Sequence, residues 1–282
     1  MLFHYYGIFL QKYLSMPEGP EVRRVYEDLR AEIGDSTITQ LQVFGGRFLK
    51  KRPPGLDKMV LPNRVVGGGV KGKFMWLEFE TGSTMWITLG MSGYWSTESD
   101  NHAHFGIGLD DDRGLYFIDQ RRFGTIKFSH DRAELNKKIN SLGLDPLNDP
   151  DYSLIELTRK MIKHNTKPVC EVLMNQGVFA GVGNYIKCEA LYRSRVSPHR
   201  LTGELKTFEI SMLHRTIKDI MHASYRQGGA SIRNYQRVDG EKGEFVFEFE
   251  VYGQKLDPVG NPVVRELTSD GRTTHWVQNL QN

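Results

Sequence analysis

Met16-Pro17-Glu18-Gly19-Pro20-Glu21-Val22 is the stretch from which the rest of the chain is read. On its own it is a turn and a helix start, because proline suits the first helical turn and acids there complement the helix dipole. A second reading begins at Met16. Removal of an initiator Met before a small residue leaves Pro17 with a free secondary amine. Such an amine has a pKa near that of α-amino groups, about 7.7–8.0, so more of it is unprotonated near neutral pH than of a lysine ammonium. It can attack a sugar C1′ or a carbonyl and form an iminium, which is an electron sink. Glu18 beside it is placed to shuttle protons.

Upstream, residues 1–15 read MLFHYYGIFLQKYLS. The segment is apolar but lacks a positive n-region and a small-residue cleavage site, so it is a poor signal peptide. We expect Met16 to be the functional start. With residues 1–15 retained, the Pro17 nitrogen is a tertiary amide and no iminium can form.

Downstream, Val22, Val25, Tyr26 and Leu29 recur at helical spacing. Residues 37–48 and 60–128 read as short strands rich in β-branched and aromatic residues, which points to a sandwich or barrel. DRAELNKKINSL (131–142) is helical in period, and LGLDPLNDPDYS (142–153) reads as a linker. Helical segments then occupy 153–227, and Gly228-Gly229 closes the last. EFVFEFEVY (244–252) alternates like a strand, and turns at 259–261 and 269–271 predict a terminal hairpin.

Composition narrows the classes. Of 282 residues, 39% are hydrophobic and 25% charged, which excludes a wholly disordered chain, a collagen-like repeat or a coiled-coil rod. No apolar run reaches the ~20 residues of a membrane span. Thirty-seven Lys+Arg against 34 Asp+Glu give a net charge of +3, which permits nucleic-acid binding without requiring it. Cys170 and Cys188 are too few for a disulfide framework or a four-cysteine zinc site.

Six motifs stand in one order along the chain: MPEGPEV; Gly72-Lys73 in VVGGGVKGKFMWLEF; Leu89-Gly90-Met91-Ser92-Gly93; Asp119-Gln120-Arg121-Arg122-Phe123-Gly124; Gly181-Val182-Gly183-Asn184-Tyr185-Ile186; and Gly271-Arg272-Thr273-Thr274. In that order they resemble the Fpg/Nei family, the formamidopyrimidine-DNA glycosylases and endonuclease VIII enzymes. The resemblance runs from residue 16 to about 278.

It implies an α+β fold. Residues 16–147 would form a catalytic β-sandwich with a leading helix, and 148–243 a helix–two-turn–helix DNA-binding domain. Residues 244–282 would form a β-hairpin finger. It also implies catalytic roles for Pro17, Glu18, Glu21, Lys73 and Arg272. Pro17 is the nucleophile, Glu18 the proton carrier and Glu21 the orienter of the first helix. Lys73 and Arg272 are phosphate ligands tied to strand cutting. Asn184, His102 and Lys167 would contact DNA, with His104 a second choice to His102. Met91, Arg121 and Phe123 would fill the void left by an extruded nucleotide, as a flexible wedge, a cation and an aromatic. Small residues before a helix, as in GVGNYI, leave backbone N–H groups able to hold a phosphate; a tight helix–helix turn is the alternative.

Two departures carry expectations. Most members end in a four-cysteine zinc finger, yet residues 246–282 hold no cysteine. This is similar to the zincless variant, with Val263, Trp276 and Val277 as its packing core, and neither zinc nor any cofactor is expected. The Glu-Gly after the proline is similar to endonuclease VIII, whereas the Met/Arg/Phe trio and residues 231–244 are similar to the formamidopyrimidine branch. The resemblance therefore implies a monomeric bifunctional glycosylase and abasic-site lyase for oxidised pyrimidines, hydantoins and formamidopyrimidines in damaged DNA. Its compartment is wherever that DNA is held. The alternative is a non-catalytic damage-binding protein, should residues 1–15 be retained.

Overall fold

Helix α1 (Gly19–Ile33) sets the architecture, because its faces serve two domains. Val22, Val25, Leu29 and Ile33 are buried at helical spacing in the core of the strand domain. Opposite them, Arg24 donates to Tyr225 O at 2.5 and 2.8 Å, and Arg23 to Leu147 O at 3.3 Å, both in the second domain. The computed structural model describes residues 17–229 and 248–282. The expectations for residues 1–15 and for 231–244 lie outside the described residues.

The strand domain comprises β1 (Thr37–Val43), β2 (Asn63–Lys71), β3 (Phe74–Phe79), β4 (Thr84–Thr88), β5 (Gly93–Ser96), β6 (Ala103–Leu109), β7 (Gly114–Asp119) and β8 (Thr125–Ser129). Their order is β5-β7-β6-β1-β2-β3-β4-β8, and every pairing is antiparallel. Only Thr37↔Arg64 and Ile38↔Asn63 join β1 to β2, so the sheet divides there into two four-stranded halves. Inward residues of both halves share one core. Phe105 of β6 meets Phe128 of β8 at a ring distance of 6.1 Å. This is the expected sandwich with its leading helix.

Two local features have identifiable causes. The strand expected over 37–48 stops at Val43, and Arg47–Lys50 forms a short helix, α2. The N–H groups of Phe44 and Gly45 both turn onto His104 O, which ends the ladder. β5 is the shortest strand of the sandwich, because its GYWS sequence directly follows a glycine turn.

Helix α3 (Arg132–Ser141) packs Leu135 against Phe74 and Trp86 on the outer sheet face. The expected linker at 142–153 is more than a spacer. Asp145 is fully buried there and accepts from Gly72 N at 2.5 Å, Leu147 N at 2.9 Å and Asn148 N at 3.0 Å. One carboxylate thereby fixes the β2–β3 turn to the domain junction.

The second domain holds α4 (Leu154–Ile162), α5 (Val169–Met174), α6 (Asn184–Arg193) and α7 (Thr207–Arg226). In α7, Ile210, Leu213, Ile217, Ile220 and Met221 form its inward stripe. Its C-terminal glycines take positive φ, 90° at Gly228 and 97° at Gly229. α6 is buried from Tyr185 through Leu191 and forms the middle of the domain.

The strand expected over 244–252 does not extend through its described part, 248–252. The backbone N–H groups of Glu250, Val251 and Tyr252 all donate to the Glu189 carboxylate, at 2.8–3.0 Å, so no strand partner is required. The terminal hairpin is β9 (Val264–Leu267) with β10 (Thr273–Trp276). Val277 is buried with Cys188 and Val251, and Val263 is half-buried against them. Trp276 is buried and meets His199 edge-on, with ring centroids 5.4 Å apart. An apolar core thus underlies this hairpin. No group of three or more metal-capable side chains occurs among the described residues. No helix among them is long and apolar enough to cross a membrane.

Candidate active site

Pro17 is half-buried where the chain enters α1, and Glu18 behind it is almost fully buried. The Glu18 backbone N–H donates to Glu21 Oε2 at 2.9 Å, one helical turn on. Its carboxylate accepts from Tyr185 N at 2.9 Å and Ile186 N at 3.3 Å, the first turn of α6. Two N–H groups of that helix start, those of Tyr185 and Ile186, are therefore taken by a side chain of this protein.

Burial pushes the Glu18 carboxyl up to about 7, against the pull of Lys73 and the two backbone donors; Glu21 pushes it the same way as burial. Near neutral pH it can therefore both give and accept a proton. Glu21 is buried and orients this region. Besides the Glu18 N–H it accepts from Tyr185 Oη at 3.2 Å and Ser224 Oγ at 3.3 Å.

Lys73 comes from the β2–β3 turn that Asp145 fixes. Burial pushes its ammonium down, Glu18 and Glu21 oppose this, and Arg272 adds to the depression. Gly183 shows how close these groups lie. A Cβ there would stand 2.3 Å from Glu18 Cδ and 2.5 Å from Lys73 Nζ, so only glycine leaves room for both. Arg272 is exposed at the turn between β9 and β10. Asn184 donates to Thr273 O of the same hairpin at 2.9 Å.

Pro17, Glu18, Glu21, Lys73, Asn184 and Arg272 thus converge from four separate parts of the chain.

Met91, Arg121 and Phe123 form a second group. Gly90 has φ +63°, and a Cβ on it would lie 2.6 Å from Gly124 N, so the two loops touch backbone to backbone. Buried Asp119 ties them. Its Oδ1 accepts from Ser92 Oγ at 2.6 Å and its Oδ2 from Gly124 N at 2.7 Å, while Arg121 N donates to Ser92 Oγ at 2.9 Å. On this platform Met91 is half-buried and Phe123 is 55% exposed. The Arg121 guanidinium lies 5.6 Å from the Phe123 ring centre. A phenylalanine held outward on a fixed turn is not core packing.

His102 is half-buried at the base of this platform, where its carbonyl accepts from Asp119 N at 3.0 Å. His104 is buried and spends Nε2 on Asp119 O at 2.8 Å, so it supports the loop from inside. Lys167 stands apart from both groups. It is exposed, and its ammonium pairs with Glu171 at 3.9 Å.

Three comparisons with known proteins bear on this arrangement. Residues 16–126 match the formamidopyrimidine-DNA glycosylase N-terminal domain, 142–236 its H2TH domain and 239–282 its C-terminal domain. The formamidopyrimidine-DNA glycosylase of Halalkalibacterium halodurans is 31% identical over 273 residues, covering 93% of this chain and 98% of that protein.

The chain belongs to the formamidopyrimidine-DNA glycosylase family.

This is a family of base-excision-repair glycosylases that act on damaged DNA. A crystal structure of the Thermus thermophilus Fpg protein superposes with a TM-score of 0.82 at 28% identity, covering 94% of this chain and 98% of that one. Lactococcus lactis Fpg in complex with DNA containing an oxidized pyrimidine gives 0.80 at 25% identity, covering 94% and 100%. The family match begins at Met16, so Pro17 is the second residue of the matched region.

The sequence reading missed several residues that position this family's motifs here. Asp119 and Ser92 lay within quoted motifs, and their polarity inside a strand-turn segment was a usable signal. Asp145, Lys187 and Asp270 had none, because their partners are distant in sequence.

Proposed function

We propose that this protein is a bifunctional DNA glycosylase and abasic-site lyase that uses the Pro17 amine as nucleophile, working as a monomer from a chain that begins at Pro17. The observation that carries the reading is the buried Glu18 carboxyl, raised to about 7, beside Pro17 and across Gly183 from Lys73.

The chemistry follows from those positions. The Pro17 nitrogen lone pair forms a bond to C1′, and the C1′–base bond breaks with its electrons leaving on the base. The N–H proton of Pro17 leaves its nitrogen for the departing base; the C1′–O4′ bond then breaks as Glu18 supplies a proton to O4′, leaving an iminium between Pro17 and C1′. The iminium acidifies C2′–H; the Glu18 carboxylate left after protonating O4′ takes that proton, which expels the 3′-phosphate, and a second elimination expels the 5′-phosphate. Lys73, Asn184 and Arg272 hold phosphates and offset the developing negative charge. No cofactor and no zinc is called for.

The substrates proposed are oxidised pyrimidines, hydantoins and formamidopyrimidines. The Lactococcus lactis neighbours bound to oxidized-pyrimidine DNA and to Fapy-dG DNA support that range. Met91, Arg121 and Phe123 would occupy the space of the extruded nucleotide, with His102 and Lys167 on the flanking backbone. Phe123→Ala should slow excision about 10-fold or more in single-turnover assays, since base–aromatic stacking is worth ~1–3 kcal/mol. Its melting temperature should not fall, because the ring is largely exposed.

A second reading has one observation in its favour: residues 1–15 precede Pro17, and while attached they make its nitrogen an amide. That form would bind damage without cutting. Borohydride trapping on duplexes carrying thymine glycol, a hydantoin, 8-oxoguanine or an abasic site, with a metal chelator present, tests the proposal. A covalent adduct that is lost in Pro17→Gly, together with β,δ-elimination ends, is the expected result. Intact binding without an adduct on any substrate would leave only the second reading.

A further inference from the structure

Lys187 was not singled out by any motif, yet it is a fully buried lysine. It lies one turn into α6, and its Nζ donates to Asp270 Oδ2 at 2.5 Å, with side-chain exposures of 0% and 2%. Asp270 stands two residues before Arg272 in the β9–β10 turn. Its second oxygen, Oδ1, accepts from Thr268 Oγ1 at 2.5 Å and from the Arg272 backbone N–H at 3.2 Å. One carboxylate therefore joins α6 to the backbone of Arg272 itself.

The order of contacts along α6 gives this pair its meaning. Asn184 donates to Thr273 O. The Tyr185 and Ile186 N–H groups hold the Glu18 carboxylate. Lys187 holds Asp270. Cys188 Sγ accepts from His275 N at 3.3 Å. Five consecutive residues thus take hold of two segments: Tyr185 and Ile186 of the chain beside Pro17, and Asn184, Lys187 and Cys188 of the hairpin that carries Arg272. The turn is also closed on itself, since Arg272 O accepts from Thr268 N and Thr268 Oγ1, each at 3.1 Å, and Gly271 N donates to Thr268 O at 2.9 Å; Asp270 is what ties that closed turn to Lys187. Gly271 has φ +72° with open space around it, and no hydrogen bond or ion pair of the Arg272 guanidinium is found among the described residues.

We propose that Lys187 and Asp270 are positioning residues for catalysis, a buried ion pair that registers Arg272 against Glu18 and Lys73 through the first turn of α6. The inference rests on the proposed catalytic role of Arg272. A buried ion pair is costly to desolvate, and an apolar pair of similar volume often stabilises a fold as well or better. Stability alone does not call for charge here. A directional link to the Arg272 backbone does.

The test is a double-mutant cycle on protein begun at Met16, with single-turnover excision rate, affinity for a duplex bearing an uncleavable abasic analogue, and melting temperature as readouts. Displacement of a positioned group by about 1 Å costs on the order of 100-fold in rate. Lys187→Met and Asp270→Asn should each slow excision by about that factor and change affinity less than about 3-fold, and Lys187→Arg should restore most of the rate. Lys187→Met combined with Arg272→Ala should be no slower than Arg272→Ala alone. Lys187→Met and Arg272→Ala should shift the pH–rate profile in the same direction, because the first displaces and the second removes the guanidinium that adds to the depression of Lys73.

Multiplicative loss in the double variant would overturn the inference, as would rate, affinity and melting temperature falling together in Lys187→Met without rescue by Lys187→Arg. A wild-type rate in Arg272→Ala would instead remove the catalytic role on which it rests, and a wild-type protein with no excision would remove the proposed function.

Discussion

Glu18→Gln is expected to lose excision by 10²–10⁴-fold, the usual contribution of a positioned acid–base group, while the folded protein becomes more stable at alkaline pH. The two effects share one cause. The folded carboxyl titrates at about 7 against 4.5 for an unperturbed glutamate, mainly because it is buried. The folded state therefore binds this proton more tightly than the unfolded state. Its stabilising contribution is fully present below pH 4.5 and is lost as pH rises through 7. Above that, the buried carboxylate costs about 3 kcal/mol relative to the low-pH limit.

Glutamine is neutral at every pH but gives up one acceptor, at Ile186 N, which costs about 1 kcal/mol. A net gain of roughly 1–2 kcal/mol at pH 8.5 follows, and none at pH 5. Thermal melts of the two proteins at both pH values check this. A variant less stable than wild type at pH 8.5 would mean that the carboxylate is not held against its solvation preference.

Gly183→Ala is expected to abolish most excision although it removes no functional group. The new methyl would stand 2.3 Å from Glu18 Cδ, 2.4 Å from Glu18 Oε1 and 2.5 Å from Lys73 Nζ. All three distances lie far inside contact, so either side chain must leave. Glu18 is held by the Tyr185 and Ile186 N–H groups of α6, and Lys73 stands on a turn fixed by Asp145. A displacement of about 1 Å is worth on the order of 100-fold in rate. The loss should appear in single-turnover excision with a modest change in DNA affinity, since Phe123, Arg121 and Met91 stand on a separate platform. Wild-type excision by Gly183→Ala would mean that Glu18 and Lys73 need not meet across this residue.

Much of this site was legible in the sequence for a physical reason. Catalytic and loop groups act through backbone features that leave local traces: Pro17-Glu18 at a helix start, Gly90 where two loops touch, and Gly183 before α6. The strands of the sandwich were legible through their β-branched and aromatic residues. What was not legible is the polar wiring between domains. Asp145 meets Gly72 across 73 residues, Lys187 meets Asp270 across 83, and Glu189 meets Glu250 across 61. No local pattern announces such partners. The same cause undid the strand expected at 248–252, where a distant carboxylate took the N–H groups that a neighbouring strand would have used. At GVGNYI the use of the Tyr185 and Ile186 N–H groups was hidden likewise, because Glu18 reaches them from 167 and 168 residues away.

The central claim is that a free Pro17 amine is the nucleophile. The most direct measurement is borohydride trapping on an abasic-site duplex with two forms of the protein, one begun at Met16 with its methionine removed and one retaining residues 1–15. Mass spectrometry then locates the adduct. The account predicts a covalent adduct on the Pro17 nitrogen in the first form and none in the second, with both binding the duplex. An adduct of equal yield in both forms, or one mapped to Lys73, would contradict it.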